Sequence, residues 1–170
     1  KVMEYLFEYY HENIRMQCVT TASQITEGIS KAGFGNIQQF WFVNVVPHYL
    51  DMLTQDDSKE VVCRVLESVE ELVKSIKKEL LPENYMAQFI QAFKVLLEED
   101  AECQKEGDET EGDHDETLMG DVTDTLHALA KEWGEAMGPY FEEVMPLFAR
   151  FTHDKRNPRD RNLFTGALAD

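Results

Sequence analysis

Apolar residues recur at helical spacing through nearly the whole chain. Six successive segments carry apolar stripes with a period of about 3.6 residues, and no comparable run alternates with period two. Breakers at Gly33-Phe34-Gly35, Leu81-Pro82 and Gly138-Pro139 separate the stripes. The pattern predicts an all-α fold, with Ser58 as an N-cap. We expect first helices at about 36–54, 82–98 and 138–152, and second helices at about 12–31, 58–80, 117–133 and 158–170.

The helical pattern also repeats itself along the chain. Pro47 aligns with Pro146, an offset of 99 residues, and the aromatic and aliphatic positions around each proline correspond. Each copy has a helix with an internal proline, a short turn with an aspartate, and a second helix with an arginine near its start. The residues that fit this pattern are Pro47, Asp56, Val61 and Arg64 in one copy, Pro146, Asp154 and Arg161 in another, and Ile14-Arg15 at the end of an earlier one.

This pattern resembles the HEAT motif, in which helix pairs stack because one pair cannot bury its apolar face alone. The resemblance implies an α-solenoid of about three to four helix pairs with a right-handed superhelical path. We expect residues 1–170 to form a single array that is a fragment of a longer protein. On this reading the apolar stripes, including Trp41 and Trp133, form the core.

An acidic run, Glu98–Glu116, interrupts the array between two helices of one pair. Eleven of its residues are Asp or Glu and its one basic residue is Lys105, so it carries about −10 of the formal net charge of −17. Clustered like charges with few apolar residues cannot offset the entropy of folding, so we predict a disordered loop over 99–116. The charge disfavours nucleic acid and favours basic partners through salt-sensitive attraction.

Other candidate sites in the sequence favour structural interpretations. Asp113-His114-Asp115-Glu116 lacks EF-hand spacing and lies in the run expected to be mobile, so we predict no metal site there. His48 and His127 stand singly on helices, and no catalytic or cofactor-binding constellation is present, so we predict a non-enzyme. For the basic segment 153–161 we expect a solvated turn or an Asp154–Arg161 pair. Three scattered cysteines favour a reducing compartment, and no apolar stretch is long enough for membrane insertion.

The segment Trp133–Phe148, WGEAMGPYFEEVMPLF, is similar to the "PYFE…LLPL" first helix of importin-β family transport receptors. The acidic insertion within one helix pair also resembles the acidic loop of these receptors, and the chain looks most like the branch that imports ribosomal proteins and histones. The resemblance implies a shuttling receptor of cytoplasm and nucleus. Its implied partners are basic protein cargo, Ran-GTP and phenylalanine–glycine nucleoporins, without direct nucleic-acid binding.

In such receptors the second helices line the concave face that binds cargo and Ran, and the exposed second-helix positions in this chain would include Glu67, Glu70, Glu71, Asp121 and Asp124. The resemblance and the acidic run together give the candidate partner-binding residues Glu67, Glu70, Glu71, Glu98, Glu99, Asp100, Glu102, Asp108, Glu109, Glu111, Asp113, Asp115, Glu116, Asp121 and Asp124. The alternative interpretation is a HEAT-repeat scaffold subunit of a cytosolic or chromatin-associated complex, in which the acidic run is a passive spacer. Ran-GTP-sensitive cargo distinguishes the receptor from the scaffold.

Overall fold

The computed structural model describes residues 2–33, 37–105, 112–154 and 156–169, and within them it leaves out the side chains of residues 38, 79, 112–115, 168 and 169. The described residues are helical, in helices joined by short turns. The helices are α1 (Val2–Phe7), α2 (Glu12–Lys31), α3 (Ile37–Asn44), α4 (Val46–Gln55), α5 (Lys59–Ile76), α6 (Glu83–Leu97), α7 (Gly112–Trp133), α8 (Gly138–Phe151) and α9 (Pro158–Ala169). The all-α prediction is confirmed.

The helices pack as successive antiparallel pairs in two layers. The second helices α2, α5, α7 and α9 form one layer, in which each helix lies against the next. The first helices α4, α6 and α8 form the other layer in the same order. An ion pair between Lys94 and Glu143, with 3.0 Å between Nζ and Oε2, joins α6 to α8 in the first-helix layer. This arrangement is the stacking expected of HEAT repeats.

Proline and serine set the helix boundaries where the sequence predicts them. The Ser58 side chain caps α5 by accepting a hydrogen bond from the Val61 amide at 3.4 Å. Pro82 is the N-cap of α6, and Pro139 lies in the first turn of α8, where a missing N–H is tolerated. Pro146 lies inside α8. Around Pro47 the first helix is interrupted at Val45, so the predicted helix 36–54 becomes α3 and α4.

The apolar stripes form one continuous core between the two layers. Trp41 is buried and its indole N–H donates to the Leu80 carbonyl at 2.9 Å, while the buried Tyr49 hydroxyl donates to the Val19 carbonyl at 2.9 Å. Both bonds satisfy polar groups that burial would otherwise leave unpaired. Some predicted core residues lie at the surface instead: Trp133 is half-buried, and Ile14, Ile25 and Met145 are exposed.

The aspartate and arginine of the repeated pattern join neighbouring helix pairs at one place. Asp56 follows α4, and its carboxylate accepts hydrogen bonds from Arg15 of α2 at 2.7 and 2.8 Å. Arg15 also donates to Asp57 at 2.8 Å and to the Tyr9 carbonyl at 3.0 Å. The Arg15 and Asp56 side chains are only 10% and 6% exposed. The turn of one pair is thus fixed to the second helix of the preceding pair. No described helix is long and apolar enough to cross a lipid bilayer.

Candidate partner-binding surfaces

The first part of the acidic run is packed against the array. Ala101 and Cys103 are buried, and residues Glu102–Gln104 form a turn of 3₁₀ helix. The Gln104 side chain accepts a hydrogen bond from the Ala101 amide at 3.2 Å and donates to the Leu96 carbonyl at 3.1 Å. Residues 99–105 therefore differ from the expected disordered loop. The buried side chains of Ala101 and Cys103 and the two hydrogen bonds of Gln104 hold this stretch against the array. For residues 106–111, outside the described part, disorder stays a prediction.

The acidic side chains of the run occupy both of its ends. Glu98, Glu99, Asp100 and Glu102 are exposed beyond α6, and Glu116 is half-buried in the first turns of α7. The second helix begins at Gly112, five residues before the predicted start at 117. Carboxylates in the first turn of a helix are stabilised by the helix dipole, which favours the earlier start. Asp108, Glu109 and Glu111 lie outside the described residues, as do the side chains of Asp113 and Asp115.

The basic segment 153–161 contacts both ends of the acidic run. Arg156 donates two hydrogen bonds to the Glu99 carboxylate at 2.7 and 2.6 Å, and these bonds raise the pKa of Arg156. Arg159 of α9 donates to Glu116 at 3.1 Å. The expected Asp154–Arg161 pair is present, exposed at its aspartate, at 3.4 Å. Arg159 is exposed, as a solvated turn predicts, whereas Arg156 is half-buried because the turn after α8 lies beside the turn after α6.

The acidic residues of the second-helix layer are not uniformly exposed. Glu67, Glu71 and Asp124 are exposed, as predicted from their helix positions. Glu70 and Asp121 were expected to be exposed, but both are half-buried. The physical reason for Asp121 is that α5 and α7 lie side by side, which covers part of its side chain. These residues form an acidic surface across α5 and α7, which we call the second-helix acidic surface.

Arginine and lysine side chains neutralise part of this surface. Arg64 donates to Glu67 at 2.7 Å and to the Thr20 hydroxyl at 3.0 Å, and lies 3.7 Å from Glu71. Lys74 pairs with Glu70. The pairs Glu67–Arg64 and Glu70–Lys74 follow helical spacing, so they stabilise α5 itself by a few tenths of a kcal/mol, about 0.2–0.5 each.

Asp121 is a carboxylate of this surface that burial partly removes from water. Burial raises its pKa to about 6, and repulsion from Glu67, Asp124 and Glu70 adds to the rise, while a hydrogen bond from the Cys63 thiol opposes it. Its Oδ2 atom is buried without a hydrogen-bond partner. Negative charge is therefore costly at this point of the surface, and a cation brought near it is favoured.

Two grooves run between neighbouring helix pairs, one in each layer. The groove between α2 and α5 has a volume of about 490 Å³ and a polar lining that includes Ser23, Glu27 and Ser75. The groove between α4 and α6 has a volume of about 380 Å³ and a mostly apolar lining that includes Leu50, Ala87 and Val95. The second-helix layer therefore presents charge and hydroxyl groups, whereas the first-helix layer presents an apolar recess.

The histidines have ordinary structural surroundings. His48 is half-buried and stacks on Phe7 with 4.8 Å between ring centroids. His127 is exposed on α7 and borders a cavity with Phe141 and Phe148. Among the residues whose side chains are described, no group of three or more His, Cys, Asp or Glu side chains is placed to hold a metal ion. The segment Asp113-His114-Asp115-Glu116 lies largely outside that part.

The family model described as Importin repeat 6 matches residues 97–154. These residues are similar to an importin-type helical repeat. The match covers about a third of the chain, from the end of α6 through the acidic run and α7 to the turn after α8. Importin-repeat proteins are non-catalytic transport receptors. No curated protein matches the chain. The acidic run lies within the matched region, whereas Arg156 and Arg159, which contact its two ends, lie just after it.

Proposed function

We propose that this chain is part of a nuclear transport receptor that binds basic protein cargo, such as ribosomal proteins or histones, under the control of Ran-GTP. The receptor would shuttle between cytoplasm and nucleus. The observation that carries the proposal is that the importin-repeat match spans the acidic run together with α7 and α8, the two helices that follow it. The match supports the interpretation that an insertion with this charge belongs to a transport-receptor repeat rather than to a tail or linker.

Charge complementarity supports basic cargo as the ligand. The acidic run carries about −10 of the net −17, and Glu98, Asp100 and Glu102 at its first end are exposed to solvent. The second-helix acidic surface adds Glu67, Glu71 and Asp124 on the layer where the resemblance expects cargo. Opposite charges steer association and weaken with salt, so binding through these groups should be fast and salt-sensitive.

The apolar recess between α4 and α6 supports a second class of partner on the opposite layer. Its walls combine Leu50 and Val95 with the small side chain of Ala87, and almost no polar surface. A phenylalanine ring is the kind of group that such a recess accepts, because burying an aromatic ring is a large apolar gain. Phenylalanine–glycine nucleoporins would bind there, leaving the second-helix layer open to cargo.

Neutralising the acidic run without deleting it tests the cargo proposal. Deletion of 99–116 would remove the buried Ala101 and Cys103, so the sharper variant is Asp108→Asn with Glu109→Gln and Glu111→Gln. A histone-tail peptide should bind this variant about tenfold more weakly at low salt. The matched control removes three exposed acids from the first-helix layer, Asp51→Asn, Glu83→Gln and Glu142→Gln. Equal weakening in both variants would reduce the effect to net charge and contradict the proposal.

A second experiment separates a transport receptor from a scaffold subunit. The chain, immobilised and incubated with histone tails, should release them when Ran-GTP is added and retain them with Ran-GDP. Val95→Glu should remove capture of a phenylalanine–glycine peptide, whereas Ile25→Glu on the other layer should leave it unchanged. Cargo binding that ignores Ran-GTP, together with no recognition of the phenylalanine–glycine peptide, would favour the scaffold.

A further inference from the structure

Glu99 has an unusual backbone conformation at the end of α6. Its φ is +61°, in the left-handed region that glycine normally occupies after a helix. The Asp100 amide donates to the Val95 carbonyl at 3.1 Å and the Glu99 amide to the Leu96 carbonyl at 3.1 Å, which is the Schellman arrangement. A side chain at this position carries strain, and strained non-glycine residues cluster at functional sites. Lys77 has a similar φ of 65° at the end of α5, so the function of Glu99 rests on the contacts of its carboxylate, which this turn holds at the end of α6.

The carboxylate of Glu99 is part of a fitted guanidinium site. Both of its oxygens accept from Arg156, at 2.7 and 2.6 Å, in the forked geometry that distinguishes arginine from lysine. The guanidinium carbon lies 4.7 Å from the centre of the Phe151 ring. A carboxylate fork and an aromatic face together recognise a planar cation.

The site is open enough for its occupant to be exchanged. A cavity of about 410 Å³ adjoins the pair and is lined by Gln104, Met119, Asn157 and Asp160 as well as by the pair itself and Phe151. Since a water molecule takes about 30 Å³ in the liquid, this space holds more than a few waters. The Arg156 and Glu99 side chains are 29% and 39% exposed. A cationic side chain from outside can therefore approach Glu99 without unfolding the turn.

We propose that Glu99 and Phe151 form a binding site for an arginine side chain of a basic partner protein, and that Arg156 fills this site until the partner displaces it. The nearby Arg159–Glu116 pair, 63% and 42% exposed, is joined by a hydrogen bond at 3.1 Å and is also accessible to solvent. This inference rests on the proposed function, since the partner is the basic cargo. Because Arg156 competes for the site, weakly basic proteins should bind poorly. Partners rich in arginine should still displace it and bind.

Arg156→Lys is the sharpest variant, because it keeps the charge and removes the fork. An oligo-arginine peptide should bind this variant about threefold more tightly than the parent chain, and Arg156→Gln about three- to tenfold more tightly, as expected for loss of one competing exposed pair. Arg150→Gln removes the same charge from an exposed position on α8 and is the control for Arg156→Gln. An oligo-lysine peptide should gain less, since lysine lacks the planar fork.

Glu99→Gly removes the carboxylate and relieves the backbone strain, so this variant should fold at least as well as glutamine variants of the same residue. In the Arg156→Gln background it should abolish the gain in affinity for oligo-arginine. An equal gain for Arg156→Gln and Arg150→Gln, with none for Arg156→Lys, would overturn the inference while leaving cargo capture intact. No binding of either peptide by the parent chain and by all variants would overturn both the inference and the proposed function.

Discussion

Two arginine–carboxylate pairs hold neighbouring helix pairs together at their turns, and they differ mainly in burial. Arg15 and Asp56 are 10% and 6% exposed, whereas Arg156 and Glu99 are 29% and 39% exposed. Both pairs have forked geometry with N–O distances between 2.6 and 2.8 Å. A buried pair cannot lose one partner without leaving an uncompensated charge, but water can replace either partner of an exposed pair. The Arg15–Asp56 pair is therefore a structural contact. The Arg156–Glu99 pair has similar chemistry, but its partners can be exchanged.

The largest effect should come from breaking the buried joint. Asp56→Ala removes two hydrogen bonds from the buried Arg15 and leaves Asp57 and the Tyr9 carbonyl as its partners, so the free energy of unfolding should fall by about 2–3 kcal/mol. Urea unfolding followed by circular dichroism measures this loss. Asp51→Asn, on the exposed side of α4, is the control for net charge and should change stability by less than about 0.5 kcal/mol. Equal losses of unfolding free energy in the two variants would contradict the assignment of the buried Arg15–Asp56 pair as a structural contact.

Asp121 is a third carboxylate to set beside Asp56 and Glu99. It is half-buried, and it has no arginine as a partner among the described contacts. Its pKa in the folded chain, about 6, lies above the unfolded value, so the folded state binds the proton more tightly. The stabilising contribution is complete below the unfolded pKa, near pH 4, and is lost as the pH rises through about 6. Asp121→Asn should therefore stabilise the chain by about 1 kcal/mol at neutral pH, after allowance for its partial exposure.

The measurement for Asp121 is the free energy of unfolding as a function of pH. The parent chain should lose more stability between about pH 4 and pH 7 than Asp121→Asn does. Asp51→Asn, exposed on α4 in the other helix layer, is the control. Identical pH profiles for the parent and Asp121→Asn would show that burial at this position does not perturb the carboxylate.

A smaller effect is expected at the exposed contact. Glu99→Gly removes an exposed pair that is worth about 0.2–1 kcal/mol, and it relieves a left-handed side-chain conformation worth about 1 kcal/mol. The two changes oppose each other, so the free energy of unfolding should stay within about 1 kcal/mol of the parent value. A loss as large as that of Asp56→Ala would make Glu99 a structural residue and contradict its assignment as exchangeable.

The smallest effect concerns the response of the two pairs to salt. A double-mutant cycle on Arg156 and Glu99 should give a coupling energy of about 0.5 kcal/mol at low salt and close to zero at about 1 M salt. The same cycle on Arg15 and Asp56 should keep most of its coupling energy, because buried pairs are screened much less. Parallel salt responses of the two cycles would contradict the difference in accessibility.

The sequence was sufficient for the helical layout. Apolar periodicity and the prolines predicted the helix pairs within a few residues, and Ser58 was predicted as the cap that it is. Periodicity could not predict how Val45 would interrupt the first helix, or that Glu70 and Asp121 would be half-buried. Burial at those two positions depends on the packing of α5 and α7, which a stripe on one helix does not specify.

Sequence patterns could not predict the exchangeable contact between Arg156 and Glu99. Arg156 and Glu99 are 57 residues apart, and a charge-rich segment can pair with many others or with none. The acidic composition of 98–116 predicted disorder, but it concealed Ala101, Cys103 and Gln104, which fold the first part of the run against the array. Glu99 occupies a position after a helix where glycine is usual. This local feature could be recognised only from its φ of +61° in the structure.

The most direct test of the account follows the two arginines during cargo binding. In an NMR titration of the 170-residue chain with a histone-tail peptide, the Nη–H signals of Arg15 and Arg156 report their carboxylate contacts separately. The Arg156 signal should shift progressively toward that of a solvated arginine while the Arg15 signal stays in place. A bound complex in which the Arg156 signal does not move, or in which both arginines shift alike, would contradict this prediction.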